Sequence, residues 1–445
     1  MTRRSSAKAP PPAYFTALEL KNVRCFGAEE QRIELRDRDG RPARWTVILG
    51  DNGTGKTTLL RCLALCAPSP NDLTPTEEFF RPKLGNYDEE EAWAMLQRGD
   101  GDPGFALTVH CTGHIHLTKP HQQGNDFTVS VDSEEGGEWY QRDQGFPICY
   151  GYGAARHMSE SALSDYEIKD SAASLFDAEV PLLNPEEWLL RADYAASKPS
   201  QIQSQLRSYR DRVKRMLVDL LPDVSDIKFT RPTLSRQRPS VRFVTPYGSV
   251  GLKDLSLGYT TLIAWLVDFA SKMFSHYGEF SNPLAMPAIC LVDELDLHLH
   301  PRWQRSIMSY LSKRFSNTQF IVTAHSPLVV QSAEDANVVV LRRDGDHVVI
   351  DNHPREVSRW RVDQILTSDL FGIEGARANG IEALLQKRRK LLTKSRLTAA
   401  EKKRLAALEE EIGYLPTAAS PAEIEAMELI LAAAPKLAGK AKGKK

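Results

Sequence analysis

One stretch of the 445-residue chain constrains its fold more than any other. It runs from Gly50 to Thr57, reads Gly-Asp-Asn-Gly-Thr-Gly-Lys-Thr, and matches the pattern G-x-x-x-x-G-K-[ST] in full. An apolar run, 44–49, predicts a buried strand before it, and the spacing over 57–65 predicts a helix after it. Glycines in such a turn let backbone N–H groups surround a phosphate at the helix N-terminus. The pattern therefore predicts a phosphate-binding loop that holds a nucleotide.

Individual side chains of this loop have predicted roles. Lys56 would neutralise the β- and γ-phosphates, and the hydroxyl of Thr57 would bind Mg²⁺. The backbone of the loop would supply most of the remaining contacts. The predicted nucleotide-binding residues are Gly50, Asp51, Asn52, Gly53, Thr54, Gly55, Lys56, Thr57 and Thr58.

A second apolar run, 288–292, is followed by two acids, Asp293 and Glu294. In P-loop enzymes an acid at the end of a neighbouring strand holds Mg²⁺, which is the role predicted for Asp293. Glu294 is then placed to polarise the attacking water. The alternative is a solvated strand end, but the complete phosphate loop favours the catalytic interpretation.

Two weaker signals narrow the kind of nucleotide-binding protein. His325 follows a third predicted strand, 319–323, and would there reach the γ-phosphate. Ser256 and Gly258 form a Ser-x-Gly just before a predicted helix. Alone, a histidine is more often structural, and Ser-x-Gly is an N-cap and a turn. Their order is more informative: phosphate loop, Ser-x-Gly, Asp-Glu, then His.

This order resembles that of ATP-binding-cassette (ABC) ATPases, and specifically of SMC and RecF-like heads. The opening 20–26 is also similar to theirs. The resemblance implies ATP and Mg²⁺ as cofactors, catalysis by Lys56, Glu294 and His325, and an ATP-dependent homodimer or higher oligomer. It also implies roles for residues outside the phosphate loop and the Asp-Glu pair. Arg24 would lie near the phosphates, Ser256 and Gly258 would act in trans, and Asp296 would lie in the dimer-facing loop.

A narrower resemblance rests on 291–330 and 360–372. Both stretches look like ATPases related to those of Septu-type anti-phage systems, which work with a separately encoded nuclease. The resemblance implies an ATPase that regulates a partner nuclease in bacterial defence, with no nuclease site of its own. Two alternatives stay open: a DNA-repair ATPase that acts directly on DNA, and a nucleotide-gated scaffold in which slow hydrolysis is a timer.

The predicted fold is an α/β P-loop head of the ABC type with an inserted α/β lobe and a helical C-terminal appendix. The predicted domains are a disordered lead-in (1–14), the head (15–66 and 251–350), the inserted lobe (67–250), the helical appendix (351–435) and a basic disordered tail (436–445).

Composition limits the partners. Lys and Arg number 57 against 58 Asp and Glu, so the formal net charge of −1 gives no bulk attraction to nucleic acid. The last ten residues hold five lysines, so any DNA contact would come from this tail, local patches or a partner.

No apolar run is long enough to span a membrane. With no apolar signal segment at the N-terminus, the sequence predicts a cytoplasmic protein.

Four further features each have two interpretations. Arg156 either contacts a phosphate or another subunit, or it has a structural role. His298 and His300 are metal ligands or, without a third ligand nearby, packing residues. The D-x-D within 343–346 is a nuclease metal site or, more simply, a hairpin turn. The basic run 387–390 contacts phosphates or forms a solvated helix face, the interpretation that we favour.

Overall fold

The computed structural model describes residues 14–66 (apart from 22), 106–111, 115–119, 130–133, 148–159, 171–354 (apart from 222, 235, 236 and 334), 360–368, 371, 379–392 and 398–413. The chain divides into two compact units, 1–371 and 372–445. Apart from Tyr14, the predicted lead-in and the predicted basic tail lie outside the described residues.

The first unit mixes strands and helices. Its described strands are β1 (Phe15–Lys21), β2 (Gln31–Glu34), β3 (Trp45–Gly50), β4 (Ala106–Cys111), β5 (Ile115–Lys119), β6 (Ser130–Ser133), β7 (Cys149–Tyr152), β8 (Asp226–Thr230), β9 (Ser240–Thr245), β10 (Gly248–Val250), β11 (Ala288–Val292), β12 (Thr318–Thr323), β13 (Asn337–Asp344) and β14 (His347–Asp351). Its described helices are α1 (Lys56–Cys66), α2 (Ala173–Phe176), α3 (Pro185–Ser197), α4 (Gln203–Leu220), α5 (Leu257–His276), α6 (Pro301–Arg314), α7 (Pro327–Gln331) and α8 (Val362–Leu366). The predicted α/β fold is confirmed.

A six-stranded sheet in the order β14-β13-β3-β12-β11-β7 organises this unit. The strands from β13 to β7 pair in parallel, and only β14 runs antiparallel to its neighbour. Because the carboxyl ends of parallel strands meet at one edge, the loops after β3, β11 and β12 converge there. Those loops carry the phosphate-binding motif, the Asp-Glu pair and His325.

Alternate residues of the central strands enter two different hydrophobic cores. In β3, Val47 and Leu49 belong to one core and Ile48 to the other, as expected for a parallel sheet buried on both faces. Helix α1 packs through Leu59, Leu60 and other apolar residues into the second core, together with β1 and β2. Helices α3 to α6 cover the opposite face. Strand β3 is therefore packed on both faces and helix α1 on one, which fixes the two ends of the phosphate loop.

The range 67–250, predicted as an inserted lobe, pairs with strands on both sides of it in the sequence. Strands β4, β5 and β6 extend the antiparallel sheet that β1 and β2 begin. Strand β7 forms the edge of the central sheet beside β11. Strands β8 to β10 form a separate small sheet. The division of the chain into head and lobe stays a prediction.

The C-terminal part of the first unit contains the D-x-D segment, and the structure shows a hairpin there. Strands β13 and β14 pair up to Asp344 and His347, with Gly345 in the turn at a φ of 58°. The hairpin interpretation is thus confirmed. Within the part of the chain that the structure describes, no helix has the length and apolar character needed to cross a membrane.

The second unit contains α9 (Asn379–Leu392) and α10 (Ala399–Ile412) in its described part. Thr398 and Glu401 form the capping box that the sequence indicates at the start of α10. Arg388, from the basic run on α9, pairs with Glu409 at 3.0 Å. This pairing is what the interpretation as a balanced, solvated helix face requires.

Candidate nucleotide-binding site

The phosphate loop joins the end of β3 to the start of α1. Gly50, Gly53 and Gly55 have φ angles of 149°, 79° and 86°, in the region that favours glycine. At Gly55 a side chain would also collide with its surroundings, because an added Cβ would lie 2.6 Å from the Sγ of Cys25. The backbone therefore favours glycine at all three positions, and at Gly50 and Gly55 the available space requires it as well.

Lys56 lies folded into the loop and is only 7% exposed. Its Nζ donates hydrogen bonds to the carbonyl oxygens of Gly50 and Asp51, at 2.7 and 2.8 Å. Burial lowers the pKa of this amine, and nearby carboxylates, that of Asp293 first, oppose the change. The amine is thus held in the loop by neutral carbonyl oxygens, beside a cluster of negative charge.

Asp293 is the centre of the hydrogen bonds in this cluster. Its two carboxylate oxygens accept hydrogen bonds from the hydroxyls of Thr57 and Thr323, each at 2.6 Å. The three residues come from the first turn of α1 and the ends of β11 and β12, which the sheet order places side by side. A hydroxyl and a carboxylate are hard oxygen donors, so Thr57 and Asp293 fit Mg²⁺.

Glu294 has a φ of 49°, which is rare for a residue with a side chain. Its N–H donates to the hydroxyl of Thr323 at 2.7 Å, and its carbonyl oxygen accepts from Arg156 at 2.7 Å. The backbone of Glu294 is therefore fixed on both sides. Glu294 lines the same cleft as Lys56.

Arg156 lies behind the acids and is 6% exposed. Its own φ is 34°, and its guanidinium lies 6.0 Å from the ring centroid of Trp265. Burial lowers its pKa to about 10, and the carboxylates of Asp293, Asp296 and Glu294 oppose that change, so the side chain is a cation at neutral pH. In this chain Arg156 contacts the backbone of a predicted catalytic residue.

His325 and Asp296 are linked through the backbone. The carboxylate of Asp296 accepts from the N–H of His325 at 3.1 and 3.2 Å. The imidazole of His325 remains exposed and lines the cleft. His300, by contrast, caps helix α6, because its Nδ1 accepts from the N–H of Arg302 at 3.3 Å. No group of three potential metal ligands is found among the described His, Cys, Asp and Glu residues.

These elements enclose a cleft of about 890 Å³. Most of the predicted site residues line it, and Gly27, Ala28, Glu29, Asp346 and His347 line it as well. The predicted residues at its surface are Arg24, Asn52, Gly53, Gly55, Lys56, Thr57, Thr58, Asp293, Glu294 and His325. Those outside its lining are Gly50, Asp51, Thr54, Asp296, Ser256 and Gly258. The cleft thus brings together the loop, both acids and the histidine.

Ser256 and Gly258 lie at the start of α5, on the face of the sheet opposite to α1. Ser256 is exposed, and in the described structure its hydroxyl makes no capping hydrogen bond. Gly258 is pressed against the loop that follows Glu294, because an added Cβ would lie 2.2 Å from the carbonyl oxygen of His298. Ser256 is therefore exposed, Gly258 packs against the loop after Glu294, and neither residue lines the cleft of its own chain.

Sequence reasoning did not find Thr323 or the hairpin turn at Asp346 and His347. Thr323 had a weak signal, since it is the polar last residue of a buried strand beside His325. The hairpin turn had none. Its place beside the cleft follows from the position of β13 next to β3.

Together, the fold and the site define an ABC-type P-loop ATPase architecture. Two family models match the chain: one described as "AAA domain, putative AbiEii toxin, Type IV TA system" over residues 155–331, and one described as "AAA domain" over residues 17–82.

One curated relative shows the family, and a second is similar over much of this chain. The retron Vc95 probable ATPase of Vibrio cholerae serotype O1 biovar El Tor is 32% identical over 363 residues, covering 66% of this chain and 68% of the relative. The Septu protein PtuA of Bacillus mycoides (strain KBAB4) is 27% identical, over 81% of this chain and 45% of its own length. The chain thus spans less than half of the Septu relative. It belongs to the family of defence-related ATPases that includes the retron Vc95 protein, and it resembles PtuA.

Among solved structures, the chain is similar to SMC heads. The SMC head domain from Thermotoga maritima aligns over 77% of this chain and 99% of its own, with 14% identity and a TM-score of 0.40. The family assignment rests on the sequence relatives.

Proposed function

We propose that the chain binds ATP with Mg²⁺ in this cleft and hydrolyses it. The observation that carries the proposal is the convergence of Lys56, Thr57, Asp293 and Glu294 in a single cleft. Each comes from the loop or strand end that P-loop chemistry requires, and Asp293 is directly hydrogen-bonded to Thr57. A cytoplasmic location is part of this proposal.

On binding, the amine of Lys56 exchanges its two carbonyl partners for the β- and γ-phosphate oxygens. Backbone N–H groups of the loop and the N-terminus of α1 supply further donors. Thr57 and Asp293 would hold Mg²⁺, which neutralises phosphate charge when bound. Since Asp293 is oriented by two hydroxyls, little rearrangement of its side chain is needed.

For hydrolysis, Glu294 accepts a hydrogen bond from a water and orients its oxygen toward the γ-phosphorus. The new bond joins that oxygen to phosphorus, the bond from phosphorus to the β–γ bridging oxygen breaks, and the proton of the water passes to the carboxylate of Glu294 and from there to the phosphate, so that ADP and phosphate leave. The imidazole of His325 lies at the same cleft and contacts the γ-phosphate. The fixed backbone of Glu294 keeps its carboxylate in position through this step.

A second copy of the chain completes the site. Ser256 and Gly258 are outside the cleft of their own chain and lie at an exposed helix start. An N-terminal helix end with a free hydroxyl suits a phosphate. We therefore propose a head-to-head dimer formed on ATP, with these residues on the γ-phosphate of the opposite subunit and Asp296 in the loop that faces it.

Within this proposal, ATP-driven dimerisation regulates a separately encoded nuclease in anti-phage defence. Support comes from the similarity to a Septu protein and to retron ATPases. Several-fold stimulation of hydrolysis by DNA alone would favour a DNA-repair ATPase. Very slow turnover that responds only to a protein partner would favour a scaffold.

Glu294→Gln tests the catalytic and the dimer proposals together. Removing a general base lowers rates by about 10²- to 10⁴-fold, so hydrolysis should fall by about 10³-fold while ATP still binds. Light scattering with ATP should then show a trapped dimer. The exposed Glu279→Gln is the matched control. Unchanged hydrolysis would contradict the role of Glu294, and a bound but monomeric variant would contradict the dimer.

A further inference from the structure

The hairpin between β13 and β14 reaches past the phosphate loop. Strand β13 runs parallel to β3, and Leu341 is the partner of Gly50, where the loop begins. The strand continues for three more residues to Asp344, about 10 Å at 3.3 Å per residue. The turn at Gly345 therefore stands beyond the loop, and the two residues after it, Asp346 and His347, line the cleft.

The sheet order places this turn on a defined side of the loop. Strand β13 flanks β3 on one side, while β12 and β11 flank it on the other. His325, Asp293 and Glu294 follow β12 and β11, so the groups that act on the γ-phosphate lie on that second side. A nucleotide whose γ-phosphate faces Glu294 then directs its other end, the nucleoside, toward the hairpin.

The hairpin turn and the segment 27–29 form one wall of the cleft. An added Cβ at Gly27 would lie 3.1 Å from the Cβ of His347, so these two parts are in close contact. The Nδ1 of His347 lies 3.1 Å from a carboxylate oxygen of Asp346. Glu29, in the segment 27–29, also lines the cleft. The wall thus presents a ring and two carboxylates.

The chemistry of this wall suits a nucleoside better than a phosphate. Carboxylates repel phosphate groups but accept hydrogen bonds from ribose hydroxyls and from exocyclic base amines. The imidazole offers an aromatic face and, with Nδ1 beside Asp346, a second ring nitrogen. The side chain of Asp346 is fully exposed, and that of His347 is about one-third exposed, so both are accessible to a ligand.

We propose that Asp346 and His347, with the segment 27–29, bind the nucleoside of ATP and make the cleft select a nucleotide over bare polyphosphate. This inference rests on the proposed binding of ATP. It assigns a ligand-binding role to the hairpin turn, which lies outside the phosphate-loop motif.

The test compares ATP with inorganic tripolyphosphate, which offers the phosphates without the nucleoside. Binding of each to the full chain is measured by calorimetry for the wild type, the double variant Asp346→Ala/His347→Ala, and Asp344→Ala. Asp344 is an exposed acid of the same hairpin outside the cleft lining, which makes it the matched control. Melting temperatures establish that each variant is folded, and the single variant Asp346→Ala alters only a fully exposed side chain.

We expect the double variant to bind ATP about tenfold more weakly, since one lost hydrogen bond to a charged group is worth about that factor. Its affinity for tripolyphosphate should be unchanged, and Asp344→Ala should match the wild type. Unchanged ATP affinity, or an equal loss for both ligands, would overturn the inference. A wild type that binds tripolyphosphate as tightly as ATP would also overturn it. A wild type that binds neither ligand would contradict the proposed function itself.

Discussion

The acidic edge of the central sheet and the start of helix α5 are built in opposite ways. At the edge, Asp293 accepts hydrogen bonds from two hydroxyls, and the backbone of Glu294 donates to Thr323 and accepts from Arg156. At α5, Ser256 is exposed and its hydroxyl caps nothing in the described structure. The acids are preorganised within one chain, whereas the hydroxyl of Ser256 is left accessible, as the proposed contact in trans requires.

Strain at the edge supports this contrast. Arg156 and Glu294 have positive φ angles, which cost energy in residues with side chains. Such conformations persist only where the surroundings fix them. Here the contacts of Arg156 and Thr323 with the backbone of Glu294 provide that support, so substitutions at the edge should affect stability and activity far more than those at Ser256.

The largest effect is expected for Arg156→Met. The change removes the buried donor to the carbonyl oxygen of Glu294 and the guanidinium beside Trp265, and losing a hydrogen bond from a charged group costs up to about 3 kcal/mol. Urea unfolding should show that loss, and hydrolysis should fall more than ATP affinity because Glu294 loses its anchor. Arg302→Met, on an exposed arginine, is the control. An Arg156→Met protein as stable and as active as the wild type would contradict the contrast between the acidic edge and the start of α5.

A smaller effect is expected for Thr323→Val. The change keeps the shape but removes one hydrogen bond to Asp293 and one to the N–H of Glu294, each worth about 1 kcal/mol. The free energy of unfolding should therefore drop by about 2 kcal/mol.

Thr318, at the other end of the same strand, is the matched control for Thr323. It is also buried, but its hydroxyl has no hydrogen-bond partner in the described structure. Thr318→Val should be neutral or stabilising. Equal losses for both variants would mean that the hydroxyl of Thr323 does not support the acids.

The smallest effect on stability is expected for Ser256→Ala. An exposed hydroxyl outside any cap contributes little, so the free energy of unfolding should change by less than about 0.5 kcal/mol. ATP-dependent dimer formation, measured by light scattering, should nevertheless weaken. Full dimerisation at wild-type ATP concentrations would contradict a role in trans.

The sequence predicted the positions of those site residues that lie close together along the chain. The glycines, Lys56 and Thr57 lie within one loop, and Asp293 and Glu294 directly follow an apolar strand, so their spacing alone indicated their places. The strands and helices around them followed from the same periodicity.

Contacts between distant segments could not be predicted in this way. Arg156 and Glu294 are 138 residues apart, and only the parallel pairing of β7 with β11 brings them together. The hairpin turn reaches the cleft because β13 lies beside β3, an order that no local pattern specifies. Likewise, the prediction of 67–250 as an inserted lobe did not show that β7 forms an edge of the central sheet.

The most direct test of the ATPase proposal is hydrolysis by the purified full chain and by Lys56→Ala. Lys56 supplies the buried cation of the phosphate loop, so its removal should lower hydrolysis at least 100-fold, about the loss seen when a preorganised charge-stabilising group is removed. Lys313→Ala, on an exposed lysine of α6, should behave as the wild type. A Lys56→Ala protein that hydrolyses ATP at the wild-type rate would contradict the proposal that this cleft is the ATPase site.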